Sequence, residues 1–191
     1  MDRKSTLILT AIAMAAFYTG NALADEKPSV AEEVHDEEFS FGEAGKASEI
    51  TRTIEVEMTD NAFNHRALDV KPGETIRFNV HNKGEVVHEF NIAMTSMQAE
   101  HQEQMMQMME SGVLDVDRIN YGMMSGGAMM GEGAMREGGA MLHNDPNSVL
   151  LEPGKSAELI WQFKKAENVE FACNVPGHYE SGMKGPIMFQ N

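Results

Sequence analysis

The only cysteine of this chain, Cys173, lies in the stretch FACNVPGHYESGMKG, with His178 five residues later and Met183 five residues after that. A thiolate is a soft and strong metal ligand, an imidazole is intermediate, and a thioether is soft and weak. One thiolate, two imidazoles and a distant thioether form the trigonal, axially capped site that electron-transfer copper prefers. The loop therefore predicts a copper site for which it supplies every ligand except one imidazole.

The missing imidazole has to come from another segment of the chain. We rank His88 first, because GEVVHEFNI is typical of a strand that ends where the loops of a sandwich cluster. His81 lies beside a turn and ranks second, and His65 ranks third. Two alternatives stay open: the cysteine is a buried small hydrophobic residue with its neighbours merely nearby, or the site holds zinc. A long thioether bond suits copper better than tetrahedral zinc.

The N-terminal residues have the pattern of a secretory signal peptide. Two cations precede an apolar run from Leu7 to Phe17, and Ala22-Leu23-Ala24 offers the small residues that signal peptidase accepts. The sequence thus predicts a signal peptide over residues 1–24 that is cleaved on export. The apolar run is about half the ~20 residues that a membrane span needs, so we expect no membrane insertion after cleavage. In an oxidising compartment an unpaired thiol is a liability unless it is buried or bound to a metal.

Acidic residues outnumber basic residues by 30 to 15, and the net charge at pH 7 is −15. Such a surface repels nucleic acid and anionic lipid, and it is compatible with cations and basic protein partners. Residues 25–49 hold many of the acids and few apolar residues, which predicts a flexible acidic tail. His35 lies in this tail within HDEE, where a solvated charge run is a better interpretation than a metal contact.

From residue 50 onward, apolar residues alternate with polar ones, which is the period of half-buried strands. The alternation is clearest in ITRTIEVEM, ETIRFNV and SAELIWQFK, and turns containing Pro-Gly or Asn-Lys-Gly separate these segments. VEFAC and GPIMFQ supply the last two strands. Short strands with turns between them predict an all-β fold over residues 50–191, an antiparallel sandwich or barrel.

A methionine-rich insertion interrupts the strands over about residues 94–147, with twelve methionines. Its first part, TSMQAEHQEQMMQMMESG, predicts a helix with a capping box from Thr95 and Gln98 and a stop at Gly112. Residues three or four positions apart share one helical face. The stripe formed in this way contains Met94, Met97, His101, Met105 and Met108.

Two interpretations of these methionines stay open. Thioethers bind Cu(I) without competition from protons, so the insertion is a candidate for additional low-coordination Cu(I) sites with help from His101 and His143. Alternatively, the helical stripe is a buried face packed on the sandwich, since methionine is a common core residue. The second part of the insertion is glycine-rich and does not build a core, so copper binding is favoured there. Its methionines are Met123, Met124, Met129, Met130, Met135 and Met141.

The segment FACNVPGHYESGM between two final strands, with GEVVHEF upstream, resembles the cupredoxin family over about residues 50–93 and 148–191. The resemblance implies an antiparallel Greek-key β-sandwich that binds one copper ion through His88, Cys173, His178 and Met183. Many cupredoxins have asparagine directly after the first histidine, where it braces the copper loop by hydrogen bonds. This chain has Glu89 there, so such support has to come from elsewhere.

The insertion, the acidic tail and the signal peptide together are similar to the periplasmic copper-resistance cupredoxins of the CopI type. The predicted function is copper binding and sequestration at this site of two histidines, one cysteine and one methionine, with extra Cu(I) in the insertion and a contribution to copper tolerance. The predicted partners are copper ions and a periplasmic redox or copper-transfer protein. We predict no enzymatic activity, because the seven histidines include no His-x-His pair of the kind that multicopper enzymes need. A one-electron carrier is the main alternative, followed by a cuprous oxidase.

Overall fold

The structure is a computed structural model that describes residues 39–124 and 145–190. Most of the secondary structure in these residues is β-strand. The predicted signal peptide, residues 25–38 of the predicted tail with His35, and His143 lie outside these ranges. The strands are β1 (Gly42–Ala44), β2 (Arg52–Thr59), β3 (Ala62–Phe63), β4 (Leu68–Val70), β5 (Thr75–Asn82), β6 (His88–Met94), β7 (Ser148–Leu151), β8 (Ser156–Phe163), β9 (Val169–Ala172) and β10 (Lys184–Phe189). The helices are α1 (Thr95–Glu110), α2 (Tyr121–Met124) and a 3₁₀ turn at Ala47–Glu49.

These strands form two five-stranded sheets. The first sheet has the order β1-β8-β5-β2-β3, and the second has the order β4-β10-β9-β6-β7. Most neighbouring strands are antiparallel, but each sheet contains one parallel pair, β2 with β5 and β4 with β10. The predicted cupredoxin-type β-sandwich is confirmed, with mixed rather than purely antiparallel sheets. The four edge strands are short, with two to four residues each.

The alternating residues of the central strands form the core between the two sheets. Ile76, Phe78 and Val80 of β5 are fully buried, as the sequence pattern predicts. Phe78 reaches across to Phe90 of the second sheet, with ring centroids 5.2 Å apart. Such aromatic contacts add specific geometry to the burial of apolar area. They fix the two sheets against each other, and with them the loops at each end.

Residues 39–45 pack against the first sheet, in which Gly42–Ala44 form β1, so the prediction of a flexible tail is wrong for this part of the chain. Phe41 is fully buried, and its ring centroid lies 5.6 Å from that of Trp161. Strand β1 pairs with β8, with Gly42 opposite Phe163. A Cβ atom at Gly42 would lie 2.3 Å from Trp161 Nε1, so only glycine allows this approach. The aromatic side chains bury enough surface to order a segment that its acidic composition predicts to be flexible.

Helix α1 continues directly from β6, and its ends only partly follow the prediction. Gly112 has a φ of 77° and donates to the carbonyl of Met109, which confirms the predicted stop. The capping box does not form: the residue before the helix makes no side-chain capping bond, and the Thr95 hydroxyl donates to the carbonyl of Asn168 instead. Gln98 is buried and turns toward the sandwich. Contacts with the sandwich therefore replace a local cap.

The methionine stripe of α1 packs against the sandwich. Met105 is fully buried, and Met94, Met97 and Met108 are half-buried against the core. The stripe thus has the packing role that the sequence left open as one of two interpretations. Met106, on another face, is 45% exposed. Among the described residues, no helix has the length and apolar character required to cross a membrane.

Candidate metal centre

Sheet register brings distant parts of the predicted site together. Strands β6 and β9 are antiparallel neighbours in the second sheet, with Asn91 opposite Ala172. The start of β6 therefore lies beside the end of β9. His88 is the first residue of β6, and Cys173 directly follows β9. The connection from β9 to β10, residues 173–183, is called the ligand loop below.

The side chains of His88, Cys173 and His178 converge at this end of the sandwich. One potential ligand atom from each lies within 4.8 Å of the other two. Cys173 Sγ is 3.3 Å from His178 Nδ1 and 3.9 Å from His88 Nδ1. The two imidazole ring centroids are 4.9 Å apart. Three of the four predicted site residues thus present their polar atoms to one small volume.

These distances suit a metal ion held by three ligands in a plane. Two ligand atoms that lie about 2.1 Å from one ion in such a plane are about 3.6 Å apart, close to both sulfur–nitrogen distances here. One thiolate sulfur and two imidazole nitrogens are the strong donors of an electron-transfer copper site, whereas structural zinc takes four strong ligands. The three side chains therefore fit copper.

Burial sets the protonation of the three side chains. Cys173 is fully buried, and burial raises the pKa of its thiol to about 12, although backbone N–H groups of Glu89 and Val175 donate to the sulfur. The thiol therefore keeps its proton at neutral pH until a metal displaces it. Burial lowers the pKa of both His88 and His178. Both rings are then neutral at pH 7, with a lone pair available to a metal.

Asp60 contacts the other nitrogen of the His88 ring. Its Oδ1 atom accepts a hydrogen bond from His88 Nε2 at 3.2 Å and another from the Glu85 backbone N–H at 2.9 Å. A proton on Nε2 leaves Nδ1, which faces Cys173, as the ligand atom. Gly84 permits the contact, because a Cβ atom there would lie 2.3 Å from Asp60 Oδ1 and 2.8 Å from His88 Nε2. The turn before β6 thus fixes the orientation of the ring.

Backbone hydrogen bonds close the ligand loop. The Cys173 N–H donates to the Met183 carbonyl at 3.0 Å, and the Met183 N–H donates to the His178 carbonyl at 3.0 Å. The His178 N–H in turn donates to the Val175 carbonyl at 2.9 Å. The Met183 side chain is buried in the same loop. The segment from Cys173 through His178 to Met183, with five residues in each step, thus forms a closed turn rather than an extended segment.

The two lower-ranked histidines lie away from this cluster. His81, on β5 of the first sheet, contacts the Ser156 hydroxyl at 2.7 Å and the Glu55 carboxylate at 3.1 Å. His65 contacts the carbonyl of Glu55 at 2.9 Å. The ranking of His88 above both of them agrees with their positions.

Glu89 occupies the position where many cupredoxins have asparagine, and it is fully buried. Its Oε1 atom accepts hydrogen bonds from His101 Nε2 at 2.7 Å and from Ser148 Oγ at 2.6 Å. Its Oε2 atom accepts from the Asn174 backbone N–H at 3.2 Å and from Asn174 Nδ2 at 3.1 Å. The ligand loop is therefore braced by a carboxylate, a role that the sequence pattern did not predict. The acid directly after His88 in the predicted strand was the available sequence signal.

His101 forms a buried ion pair with that carboxylate. Burial alone would lower the pKa of His101, but the charge and hydrogen bond of Glu89 outweigh it and raise the pKa to about 9. The ring is therefore charged at neutral pH, and its Nδ1 atom lies 3.3 Å from Gln104 Oε1. A charged imidazole has no lone pair for a metal. In this structure both ring nitrogens of His101 lie within hydrogen-bonding distance of an acceptor oxygen.

Comparisons with known proteins agree with the cupredoxin-type fold. The profile of the cupredoxin-like domain matches residues 7–120 of the chain. The copper-resistant cuproprotein CopI of Pseudomonas aeruginosa is 49% identical over 154 residues, covering 79% of this chain and 83% of that protein. A protein of the same name from Rubrivivax gelatinosus is 32% identical, covering 81% of this chain and 76% of that protein.

A solved structure of auracyanin B has the same fold. It superposes with a TM-score of 0.50 at 18% sequence identity and covers 74% of this chain and 91% of that one. This likeness shows a shared fold. The chain belongs to the cupredoxin-like family, and its resemblance to copper-resistance proteins of the CopI type is confirmed.

Proposed function

We propose that this protein sequesters copper at a site formed by His88, Cys173, His178 and Met183 and thereby contributes to copper tolerance. The observation that carries the proposal is the convergence of one sulfur and two ring nitrogens within 4.8 Å. A copper ion held by such a donor set would change between Cu(I) and Cu(II) by gaining or losing one electron. We assign the protein as a binding protein and not as an enzyme.

Each residue has a distinct role in the proposed site. Cys173 supplies a thiolate after its proton is displaced, and the sulfur is already held by the Glu89 backbone N–H at 3.3 Å. His88 and His178 supply neutral nitrogens. Met183 would supply a weak thioether ligand, a role supported by its burial within the ligand loop.

The test is titration of the metal-free protein with Cu(II), followed by visible absorption. A thiolate bound to Cu(II) is expected to give an intense visible band that Cys173→Ser abolishes and His88→Ala changes or abolishes. His81→Ala is the matched control, since it removes an exposed imidazole on the other sheet, and we expect the band to remain. A band that survives in Cys173→Ser would refute the proposed site.

We further propose that the glycine-rich part of the insertion binds additional Cu(I) through its methionines. The support is its ligand content, in a segment whose composition does not favour a core. The test replaces its six methionines together by leucine, which keeps the apolar volume and removes the sulfur. Competition with a chromogenic Cu(I) chelator should give more than one Cu(I) per native chain and a number close to one for the variant. Equal stoichiometry in both proteins would contradict the additional sites.

We place this activity in the periplasm on the basis of the signal-peptide pattern in residues 1–24. The exported protein is expected to begin at Asp25, which N-terminal sequencing of a periplasmic extract would establish. A periplasmic fraction that lacks the protein would overturn the assignment. Deletion of the gene should lower the copper concentration that the cells tolerate, and unchanged tolerance would contradict the proposed role.

Electron transfer is a second candidate function, favoured by the unequal burial of the two histidines. His88 is fully buried, whereas His178 is only partly buried and lies between Pro176 and Tyr179 at the surface. A partly exposed ligand ring offers a short path for an electron to a docked partner. A fast self-exchange rate between the Cu(I) and Cu(II) forms would support this function, and a slow rate would favour sequestration. Oxygen uptake on addition of Cu(I) would instead indicate an oxidase.

A further inference from the structure

The carboxylate of Glu89 joins three separate parts of the protein. Continuing the pairing of β6 with β9 by two residues places Glu89 opposite Asn174, the residue that follows Cys173. Its four hydrogen bonds from described residues come from Asn174 of the ligand loop, Ser148 of β7 and His101 of α1. An ionised carboxylate accepts at about four lone-pair positions, so one side chain can hold donors from all three parts at once.

Helix α1 reaches the ligand loop by a second contact. Asn174 Nδ2 donates to Gln98 Oε1 at 2.9 Å, and both side chains are buried. Gln98 and His101 are three residues apart and therefore lie on the same face of the helix. The methionine-rich insertion thus contacts the residue next to Cys173 directly through Gln98 and indirectly through His101 and Glu89.

We infer that Glu89 and His101 are positioning residues through which helix α1 holds the ligand loop, and with it Cys173, beside His88. The inference rests on the proposed copper site, but the contacts that carry it are present without the metal. A buried charge that loses its partner has to find new hydrogen bonds or water. Removal of the His101 donor is therefore expected to shift the Glu89 carboxylate and loosen its bonds to Asn174.

Any energetic coupling between α1 and the copper site acts in both directions, by thermodynamic linkage. A change in α1 that alters the affinity of the site for copper implies that copper at the site alters the stability of α1 by the same free energy. Copper binding at the metal centre is therefore expected to change the stability of α1, the helix that leads into the proposed Cu(I)-binding segment.

The experiment compares His101→Leu, which removes the donor, with His101→Gln, which keeps an N–H donor. His81→Leu is the matched control, because His81 also contacts a glutamate but is exposed on the first sheet. Amide hydrogen exchange of Asn174 is measured in the metal-free proteins, with the amide of Phe78 as a reference for global stability. The visible spectrum and the rate of copper release are measured in the Cu(II)-loaded proteins.

We expect His101→Leu to speed exchange at Asn174 by at least about tenfold relative to Phe78 and to speed copper release about 10–100-fold, with a shifted visible band. His101→Gln should recover most of both changes, and His81→Leu should behave as the native protein. Unchanged exchange, release and spectrum in His101→Leu would overturn the inference, as would equal changes in His81→Leu.

A second variant covers the case in which His101→Leu does not fold. Glu89→Gln keeps the size of the side chain but replaces one acceptor oxygen by a donor, and we expect it to loosen Asn174 in the same way. Native exchange at Asn174 in Glu89→Gln would refute the inference. If the native protein gives no thiolate–copper band, the proposed function fails, whereas the exchange measurement still decides whether these residues position the loop.

Discussion

The ligand loop and the methionine stripe of α1 both contain soft ligands, but they differ in how the ligand atoms are arranged. In the loop, one sulfur and two ring nitrogens converge within 4.8 Å, because β6 and β9 place distant residues side by side. On α1, sulfur atoms follow one another along a helix whose stripe is packed against the core. In the ligand loop, the pairing of separate strands brings the ligand atoms to one point, whereas side chains on one helical face are equally suited to packing.

Loss of the thiol is the sharpest test of this contrast, with the largest expected effect. Cys173→Ser should weaken Cu(II) binding by more than about a hundredfold, because it removes the only soft anionic ligand. The measurement is a competition titration against a chelator of known affinity. Met106→Leu, which removes an exposed sulfur from α1, is the control and should leave the affinity at this site unchanged. Similar losses of Cu(II) affinity in both variants would show that the two regions do not differ in metal binding.

Truncation of Met105 tests whether the stripe is structural. Met105→Ala should lower the free energy of unfolding by about 2–4 kcal/mol, because a fully buried side chain leaves a cavity. Met105→Leu keeps the volume without the sulfur and should cost less than about 1.5 kcal/mol. Both values come from urea unfolding of the metal-free protein. A large loss in Met105→Leu would indicate that the sulfur has a role beyond packing.

The ion pair between His101 and Glu89 predicts a pH dependence of stability. A pKa raised from 6.5 to about 9 in the folded state stabilises it by roughly 3 kcal/mol at most. This contribution is fully present below pH 6.5, where the imidazole is charged in both states, and is lost as the pH rises through about 9. The difference in unfolding free energy between the native protein and His101→Gln should therefore shrink between pH 6 and pH 10. A difference independent of pH would contradict the ion pair.

The smallest expected effect concerns the orientation of His88. Asp60→Ala removes the acceptor for His88 Nε2 and should weaken Cu(II) binding by about tenfold, since such contacts fix the ring and its tautomer. Asp117→Ala, which removes an exposed acid elsewhere, controls for the loss of charge. Chelator competition measures both affinities. Equal affinities in the two variants would show that the ring is held by packing alone.

Much of the fold follows from local pattern in the sequence. The alternation of Ile76, Phe78 and Val80 identifies the inner face of β5, and Gly112 marks the end of α1, because both signals depend on near neighbours. The capping box at Thr95 failed because the helix begins directly from a strand and finds its partners in Asn168. The prediction that the flexible tail extends to residue 49 failed because composition takes no account of the buried Phe41.

The candidate site was predictable only in part, for a related reason. Cys173, His178 and Met183 are close in sequence, so spacing alone indicates a loop with metal-binding chemistry. His88 required a prediction of which strand lies beside β9. Asp60 and Glu89 could not be assigned roles, because hydrogen bonds between residues far apart in sequence depend on register and on the position of α1. Their chemistry becomes visible only in three dimensions.

The short edge strands of the two sheets affect what happens when α1 is displaced. Strands β1, β3, β4 and β7 have three, two, three and four residues, respectively. A long open edge offers a row of free backbone groups to another chain and so promotes aggregation. Here, few such groups would become available to a neighbouring molecule. We therefore expect variants with a loosened helix to keep the oligomeric state of the native protein at high protein concentration instead of assembling into intermolecular β-structure.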